Sequence, residues 1–156
     1  MDRYTETMGH PNAGKSSPAR ILVIEDNPGD LVLLRYGLDH HQHDYILSVL
    51  VDGEEAIRFV ESQRSVTSPE PCVIVLDLHL PKHSGPAVLK EIRREPSLSH
   101  VHIVVWTTQA SPAEESEVRK LGVRLYAKKP PQLDGWISLG GEILALCREP
   151  SQVTVG

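Results

Sequence analysis

Polar side chains stand directly after four short apolar runs of the sequence. Glu25 and Asp26 follow ILVI, Asp77 follows CVIVL, Thr107 follows VHIVVW, and Lys129 lies just beyond GVRLYA. Short apolar runs of this kind are typical of strands that are buried on both faces. If the strands are neighbours in one parallel sheet, their carboxyl ends bring three carboxylates, a hydroxyl and an amine to a single edge.

Such a set of side chains indicates a particular chemistry. Three carboxylates at one edge repel each other unless a cation neutralises them. A hard divalent ion such as Mg²⁺ prefers oxygen ligands and is the natural partner. A lysine beside the ion would hold phosphoryl oxygens, and an aspartate held there can act as a nucleophile and form an aspartyl phosphate. The pattern therefore predicts Mg²⁺-dependent phosphoryl chemistry.

Strands and helices alternate five times along the predicted order of elements. The strands are predicted over residues 21–24, 45–51, 72–76, 101–106 and 122–127, and a helix follows each, the last over 133–148. This alternation indicates a parallel sheet covered by helices on both faces, and right-handed crossovers restrict it to a doubly wound topology. The predicted fold class is α/β.

The bulk composition excludes several classes of protein. The chain has 156 residues, 40% of them hydrophobic, a formal net charge of -5 and no basic run, which argues against a nucleic-acid surface. Its apolar runs are far shorter than the ~20 residues that span a bilayer, and its first residues lack the apolar core of a signal peptide. We therefore expect a cytoplasmic protein that binds neither nucleic acid nor membrane, with a flexible extension over 1–19, one domain over 20–149 and a tail over 150–156.

Cysteines, histidines and a phosphate-loop pattern each suggest a function that their context disfavours. Cys72 and Cys147 stand in a non-secretory context and are expected to be reduced thiols. The histidines of residues 40–43 lack cysteine or carboxylate partners at ligand spacing, which favours a solvated cluster over a metal site. His100 and His102 are expected at the surface or a sheet edge.

Residues 9–16 read GHPNAGKS, which matches the phosphate-loop pattern. No preceding strand or following helix is predicted there, so nucleotide binding is disfavoured.

Taken together, the residues at the strand ends resemble the receiver domains of two-component response regulators. The resemblance spans residues 20 to about 148 and rests on the segments IEDNP (24–28), LDLHLP (76–81), WTT (106–108) and KP (129–130). It implies the flavodoxin-like receiver fold, a five-stranded parallel sheet of order 2-1-3-4-5 with five helices. The segment from Leu76 to Leu98 is most similar to stand-alone receivers linked to bacterial phytochrome-type histidine kinases.

The resemblance also implies how the site is built. Asp77 would accept the phosphoryl group. Asp26 and Asp77 would bind Mg²⁺, Glu25 would act mostly through water, and the backbone carbonyl of His79 would complete the protein ligands.

A conformational switch is implied as well. Thr107 would bond the phosphoryl oxygen, Lys129 would pair with it, and Tyr126 would move inward as the threonine shifts. The predicted helix 4 (113–121), strand 5 (122–127) and helix 5 (133–148) would then change their shared surface. With no segment left for an output domain, the protein would act by binding partners, after receiving the phosphoryl group from a sensor histidine kinase. It would be a phosphoacceptor that assists its own phosphorylation and dephosphorylation, and not an enzyme in the usual sense.

Some alternatives stay open. The apolar arc of helix 5 covers more than half of its circumference, which fits either deep packing or a homodimer through helix 4, strand 5 and helix 5. The domain could also be a degenerate receiver that binds partners without phosphorylation, or a Mg²⁺-dependent phosphohydrolase with Asp77 as nucleophile. Such hydrolases usually have a second aspartate two residues further on, and here that place is His79.

Overall fold

A computed structural model of the chain describes residues 5–8, 17–65, 70–109 and 111–149. These residues form a six-stranded sheet with helices on both faces. The strands are β1 (Thr5–Met8), β2 (Ala19–Ile24), β3 (Tyr45–Leu50), β4 (Val73–Asp77), β5 (His102–Thr107) and β6 (Leu125–Lys128). The helices are α1 (Pro28–Asp39), α2 (Gly53–Ser62), α3 (Gly85–Arg94), α4 (Pro112–Arg119) and α5 (Leu133–Arg148), with a 3₁₀ turn over Pro96–Leu98.

The sheet has the strand order β1-β3-β2-β4-β5-β6. Strands β2 to β6 are parallel, and counted from β2 they have the predicted order 2-1-3-4-5, so the predicted fold class is confirmed. Strands β4 and β5 are buried along their whole length, which explains their unbroken apolar runs. The predicted fifth strand over 122–127 begins later, at Leu125, because Gly122 has a φ of 77° and turns the chain out of α4.

Strand β1 is a feature that the sequence did not predict. It pairs antiparallel with β3, with Thr5 opposite Ser48 and Met8 opposite Tyr45. These residues belong to the segment expected to be a flexible extension, and the structure departs from that expectation here. The pairing satisfies backbone groups that β3 would otherwise leave open at the edge of the sheet, whereas the sequence TETM has no hydrophobic periodicity to signal it. The phosphate-loop pattern at residues 9–16 lies outside the described residues.

The helices form two layers around the sheet. Leu34 of α1 and Trp136 of α5 belong to the core on one face. Val60 of α2, Leu89 of α3 and Val118 of α4 belong to the core on the other face. No helix in the described ranges is both long and apolar enough to cross a membrane.

Helices α1 and α5 touch through their backbones. A Cβ atom at Gly37 would lie 2.0 Å from the carbonyl oxygen of Trp136, and one at Gly140 would lie 2.6 Å from the carbonyl carbon of Gly37. Only glycine fits at these two positions. Five of the seven apolar residues in the arc of α5 are buried, and Leu133 is 50% exposed. The arc consists of Leu133, Trp136, Ile137, Leu139, Ile143, Leu144 and Leu146. Packing within the domain therefore accounts for most of the arc, and the homodimer stays a prediction.

The two cysteines form a disulfide. Cys72 lies just before β4 and Cys147 lies in the last turn of α5, with their Cα atoms 5.2 Å apart. The expectation of two reduced thiols is therefore wrong for this structure. The residues are 75 positions apart in the sequence, and only the folded sheet brings their Cα atoms to a separation that a disulfide can bridge.

His102 is also not where the sequence suggested. It is buried at the start of β5, and its Nε2 atom lies 4.0 Å from Glu149 Oε2 without a hydrogen-bond partner. Burial lowers the pKa of His102. His100 is half-buried, and its Nε2 atom contacts a carboxylate oxygen of Glu70. The surface position expected for His102 is wrong because β5 is covered on both faces from its first residue.

Candidate functional site

Three carboxylates meet at the carboxyl edge of the sheet. Glu25 and Asp26 directly follow β2, and Asp77 is the last residue of the neighbouring strand β4. One oxygen atom from each of the three lies within 4.8 Å of the other two. Glu25 and Asp77 are buried while Asp26 is exposed, so this acidic trio opens to solvent on the side of Asp26.

The electrostatics of the acidic trio favour a bound cation. Burial, together with a hydrogen bond and charge repulsion from Asp77, raises the pKa of Glu25 to about 9, and the nearby Lys129 only partly offsets this. At neutral pH such a carboxyl group holds a proton unless a cation replaces it. The all-oxygen donor set fits a hard divalent ion such as Mg²⁺.

The histidine cluster does not form a second metal site. In the described part of the chain, only the acidic trio brings three His, Cys, Asp or Glu ligand atoms close enough to hold a metal ion. Nε2 of His41 instead lies 2.6 Å from the carbonyl oxygen of Ile137 in α5, and Nδ1 of His43 lies 2.9 Å from the carbonyl oxygen of Asp44. These contacts with backbone carbonyl groups agree with the prediction that the histidine cluster is not a metal site.

Lys129 lies among the carboxylates. Its Nζ atom is 2.5 Å from Glu25 Oε1, 2.8 Å from Asp30 Oδ2 and 3.2 Å from Asp77 Oδ2. The ring of Trp106 lies on another side, with its centroid 5.3 Å from Nζ. Burial alone would lower the pKa of Lys129, but the hydrogen bonds to Asp30 and Glu25 and the charges of Glu25 and Asp77 raise it overall. A permanently charged ammonium therefore faces the carboxylate of Asp77.

Asp30 is a site residue that the sequence analysis missed. It lies in the first turn of α1, where Asn27 caps the helix by accepting hydrogen bonds from the N–H groups of Gly29 and Asp30. Side chains on a helix lean towards its N-terminus, which here is the carboxyl edge of the sheet. The sequence did contain a signal for Asp30, because α1 begins two residues after Asp26 and Asp30 is the acidic residue in its first turn.

Thr107 is joined to the acidic trio through His79. The backbone N–H of His79 donates to Asp77 Oδ1 at 3.0 Å, and Nδ1 of its ring lies 3.3 Å from Thr107 Oγ1. The Thr107 hydroxyl donates to the carbonyl oxygen of Gln109 at 3.1 Å. On its far side, the His79 ring lies 3.7 Å from Glu114 of α4. His79 therefore connects the strand end at Asp77, the hydroxyl of Thr107 and the start of α4.

The loop between β4 and α3 is fixed by two close backbone contacts. A Cβ atom at Gly85 would lie 2.4 Å from the Cα atom of Leu78, and one at Gly53 of α2 would lie 2.4 Å from Cβ of His83. Glycine is required at both positions for the loop to approach so closely. The backbone carbonyl of His79 belongs to this loop, so the contacts restrict where that carbonyl can lie.

Tyr126 belongs to β6, the strand at one edge of the sheet. It is half-buried on β6, and the guanidinium of Arg119 in α4 lies 5.2 Å from the centroid of its ring. Burial, followed by the charges of Glu115 and Glu114, raises the pKa of Tyr126. The ring therefore lies between the sheet and α4, on the surface that the predicted switch includes.

Comparisons with known proteins agree with this fold and site. Residues 21–137 match the response regulator receiver domain family. The chain is 36% identical over 117 residues to the response regulator Rcp1 of Synechocystis sp., an alignment that covers 74% of this chain and 80% of Rcp1. The chain therefore belongs to the response regulator receiver domain family.

Solved structures lead to the same family. The phosphorylated cyanobacterial phytochrome response regulator RcpA superposes with a TM-score of 0.76 at 26% identity, covering 88% of this chain and all of that one. The Mn²⁺-bound form of Rcp1 superposes with a TM-score of 0.74 at 32% identity, covering 87% of this chain and all of that one. The acidic trio at the carboxyl edge is consistent with the phosphoacceptor site of a receiver domain.

Proposed function

We propose that Asp77 accepts a phosphoryl group from a histidine kinase and that the protein signals through the resulting change of its surface. The observation that carries this proposal is the position of Lys129, whose ammonium lies against Glu25 and Asp77, the two buried members of the acidic trio. The similarity to RcpA and Rcp1 supports a phytochrome-type histidine kinase as the donor, because RcpA is a phytochrome response regulator.

Mg²⁺ is the cofactor that the donor set supports. Asp26, Asp77 and the backbone carbonyl of His79 would hold it, with Glu25 acting mostly through water. When bound, the cation neutralises the carboxylates and draws charge from phosphoryl oxygens. The Mn²⁺-bound form of Rcp1 supports a divalent ion at this kind of site.

The residues of this chain supply the rest of the chemistry. A carboxylate oxygen of Asp77 forms a new P–O bond while the P–N bond of the donor phosphohistidine breaks, and the electron pair of that bond returns to the imidazole nitrogen. Lys129 is already charged and 3.2 Å from Asp77 Oδ2, so it can pair with a phosphoryl oxygen without a proton transfer. The N–H of His79 orients Asp77 by donating to its other oxygen.

The proposed switch begins with a change in the hydrogen bonds of Thr107. To bond a phosphoryl oxygen, the Thr107 hydroxyl exchanges its contacts with His79 and the Gln109 carbonyl. The His79 ring also lies against Glu114, so this exchange is transmitted to α4. Tyr126 then moves inward beneath α4, which changes the surface formed by α4, β6 and α5.

Phosphotransfer from a kinase tests the proposed function. A phytochrome-type histidine kinase, autophosphorylated with labelled ATP, is mixed with the wild-type chain and with Asp77→Asn. We expect label on the wild type and none on the variant. No label on a folded wild-type chain from this kinase or from a small phosphodonor would favour a binding module. Steady release of phosphate from a phosphomonoester would favour the phosphohydrolase.

A further inference from the structure

The Lys129 ammonium has three carboxylate partners, and they are of two kinds. Glu25 and Asp77 belong to the acidic trio, whereas Asp30 comes from the first turn of α1 and lies outside it. An ammonium has three donors, so the three carboxylates can use all of them. Among the ion-pair partners of Lys129 in the described residues, Asp30 is the one that does not belong to the candidate metal site.

This difference matters when a cation occupies the trio. A divalent ion on the acidic trio would compete with Lys129 for the oxygen atoms of Asp77 directly and of Glu25 through water, and its charge would repel the ammonium. Both effects weaken two of the three bonds that hold Lys129. The bond of 2.8 Å to Asp30 is not weakened by competition for lone pairs.

Asp30 is well placed to keep that bond. Its backbone N–H is held by the Asn27 cap at 3.3 Å, which fixes the start of α1 next to the sheet edge. Its carboxylate lies in the first turn of α1, where the helix dipole favours a negative charge. Asp30 is 18% and Lys129 10% exposed at the side chain, so water weakens their attraction less than at an open surface.

We propose that Asp30 is a positioning residue that holds the Lys129 ammonium beside Asp77 while the acidic trio is occupied by a metal ion. The proposal rests on the function proposed above. Asp30 does not touch the reacting atoms; it acts through Lys129. Without it, the lysine would leave the site when the cation arrives, and the phosphoryl oxygens would lose a preorganised partner.

The first test separates metal binding from phosphoryl uptake. Asp30→Asn keeps the shape of the side chain and removes its charge, Asp30→Glu keeps the charge, and Asp134→Asn removes an exposed carboxylate from the first turn of α5 as the matched control. At saturating Mg²⁺ and acetyl phosphate, we expect Asp30→Asn to take up the phosphoryl group at least about tenfold more slowly than wild type. Its dissociation constant for Mg²⁺ should change by less than about threefold, because Asp30 is not a ligand. Asp30→Glu should recover much of the rate.

The second test asks whether Asp30 acts through Lys129. In Lys129→Met, adding Asp30→Asn should cause no further loss of rate, because the residue it positions is gone. Equal rates for Asp30→Asn and Asp134→Asn, or additive losses in the double variant, would overturn the proposal.

A spectroscopic readout keeps this proposal separate from the proposed function. The Cε NMR signal of Lys129, assigned by its loss in Lys129→Met, should show a restricted side chain in the Mg²⁺ complex of wild type and Asp134→Asn, and a mobile one in Asp30→Asn. If the wild-type chain accepts no phosphoryl group, the proposed function fails and this signal alone decides the role of Asp30. An equally restricted lysine in Asp30→Asn would overturn it.

Discussion

Nδ1 of His79 lies 3.3 Å from the hydroxyl oxygen of Thr107. The side chain expected to bond the phosphoryl oxygen is therefore engaged elsewhere in this structure, with His79 on one side and the Gln109 backbone on the other. The His79 ring also lies against Glu114 in the N-terminal turn of α4. A movement of the ring away from Thr107 would therefore change its contact with α4. Under the proposed function, phosphorylation would have to break these contacts of Thr107.

Replacing Thr107 should separate phosphorylation from the switch. In Thr107→Ala, Asp77 and Lys129 are unchanged, so we expect phosphoryl uptake to stay within about tenfold of wild type. The change in amide hydrogen exchange over α4, β6 and α5 on phosphorylation should be lost, because no hydroxyl is drawn to the phosphoryl group. Thr108→Ala, an exposed neighbour, is the control and should keep that change. A full response in Thr107→Ala would show that the signal takes another route.

The raised pKa of Glu25 predicts a pH-dependent effect of Mg²⁺. The folded pKa of about 9 exceeds the ordinary value of 4.5, so between these values the folded chain holds a proton that the unfolded chain releases. Without metal, this group's contribution to stability therefore falls as pH rises through that window. Because Mg²⁺ competes with the proton, its affinity should rise between about pH 6 and pH 8.5, by at most about tenfold per pH unit.

Calorimetric titration with Mg²⁺ across this pH range checks the prediction. The variant Glu25→Gln, which has no proton to lose, should show a flatter profile, and Glu61→Gln, on the exposed face of α2, should behave as wild type. An affinity that is independent of pH in the wild-type chain would mean that Glu25 is ionised before the metal binds.

Buried His102 should make the fold sensitive to acid. Its folded pKa is lowered from 6.5 by burial, so the unfolded chain binds a proton at a pH where the folded chain does not. Stability is therefore present above pH 6.5 and is lost as pH falls towards the folded pKa. Thermal unfolding should show a smaller loss of Tm on acidification in His102→Leu than in wild type. The control Thr108→Ala, which removes an exposed side chain that does not titrate, should keep the wild-type slope; equal slopes in all three would contradict the prediction.

The disulfide should contribute to stability. It closes a loop with a sequence separation of 75 residues between the start of β4 and the end of α5. Loss of such a crosslink is expected to lower the free energy of unfolding by about 2–4 kcal/mol. Urea unfolding of the oxidised chain, the reduced chain and Cys72→Ser/Cys147→Ser measures this. The reduced chain and the double variant should agree, and stability unaffected by reduction would contradict the prediction.

The sequence was sufficient to predict the site residues that lie at or just after the ends of strands. Apolar runs located β2, β4 and β5, and in a parallel sheet the residues that follow such runs share an edge. That reasoning is sufficient to bring Glu25, Asp26, Asp77 and Lys129 together, as the structure shows.

Other features depend on tertiary contacts that no local pattern encodes. Asp30 reaches Lys129 only because the Asn27 cap sets the start of α1 against the sheet edge. Cys72 and Cys147 meet only after α5 has packed across the sheet. The burial of His102 depends on what covers the first residue of β5. Strand β1 depends on an open edge of β3, and its own four residues carry no strand signal.

Phosphoryl uptake by the purified chain tests whether Asp77 is the phosphoacceptor. The wild type and Asp77→Asn are incubated with Mg²⁺ and acetyl phosphate, and their intact masses are measured. We expect the wild type to gain one phosphoryl group, and we expect this gain to be abolished by removing Mg²⁺ with a chelator and to be absent in Asp77→Asn. A folded wild-type chain that gains no phosphoryl group, or a variant that gains it as readily, would contradict Asp77 as the phosphoacceptor.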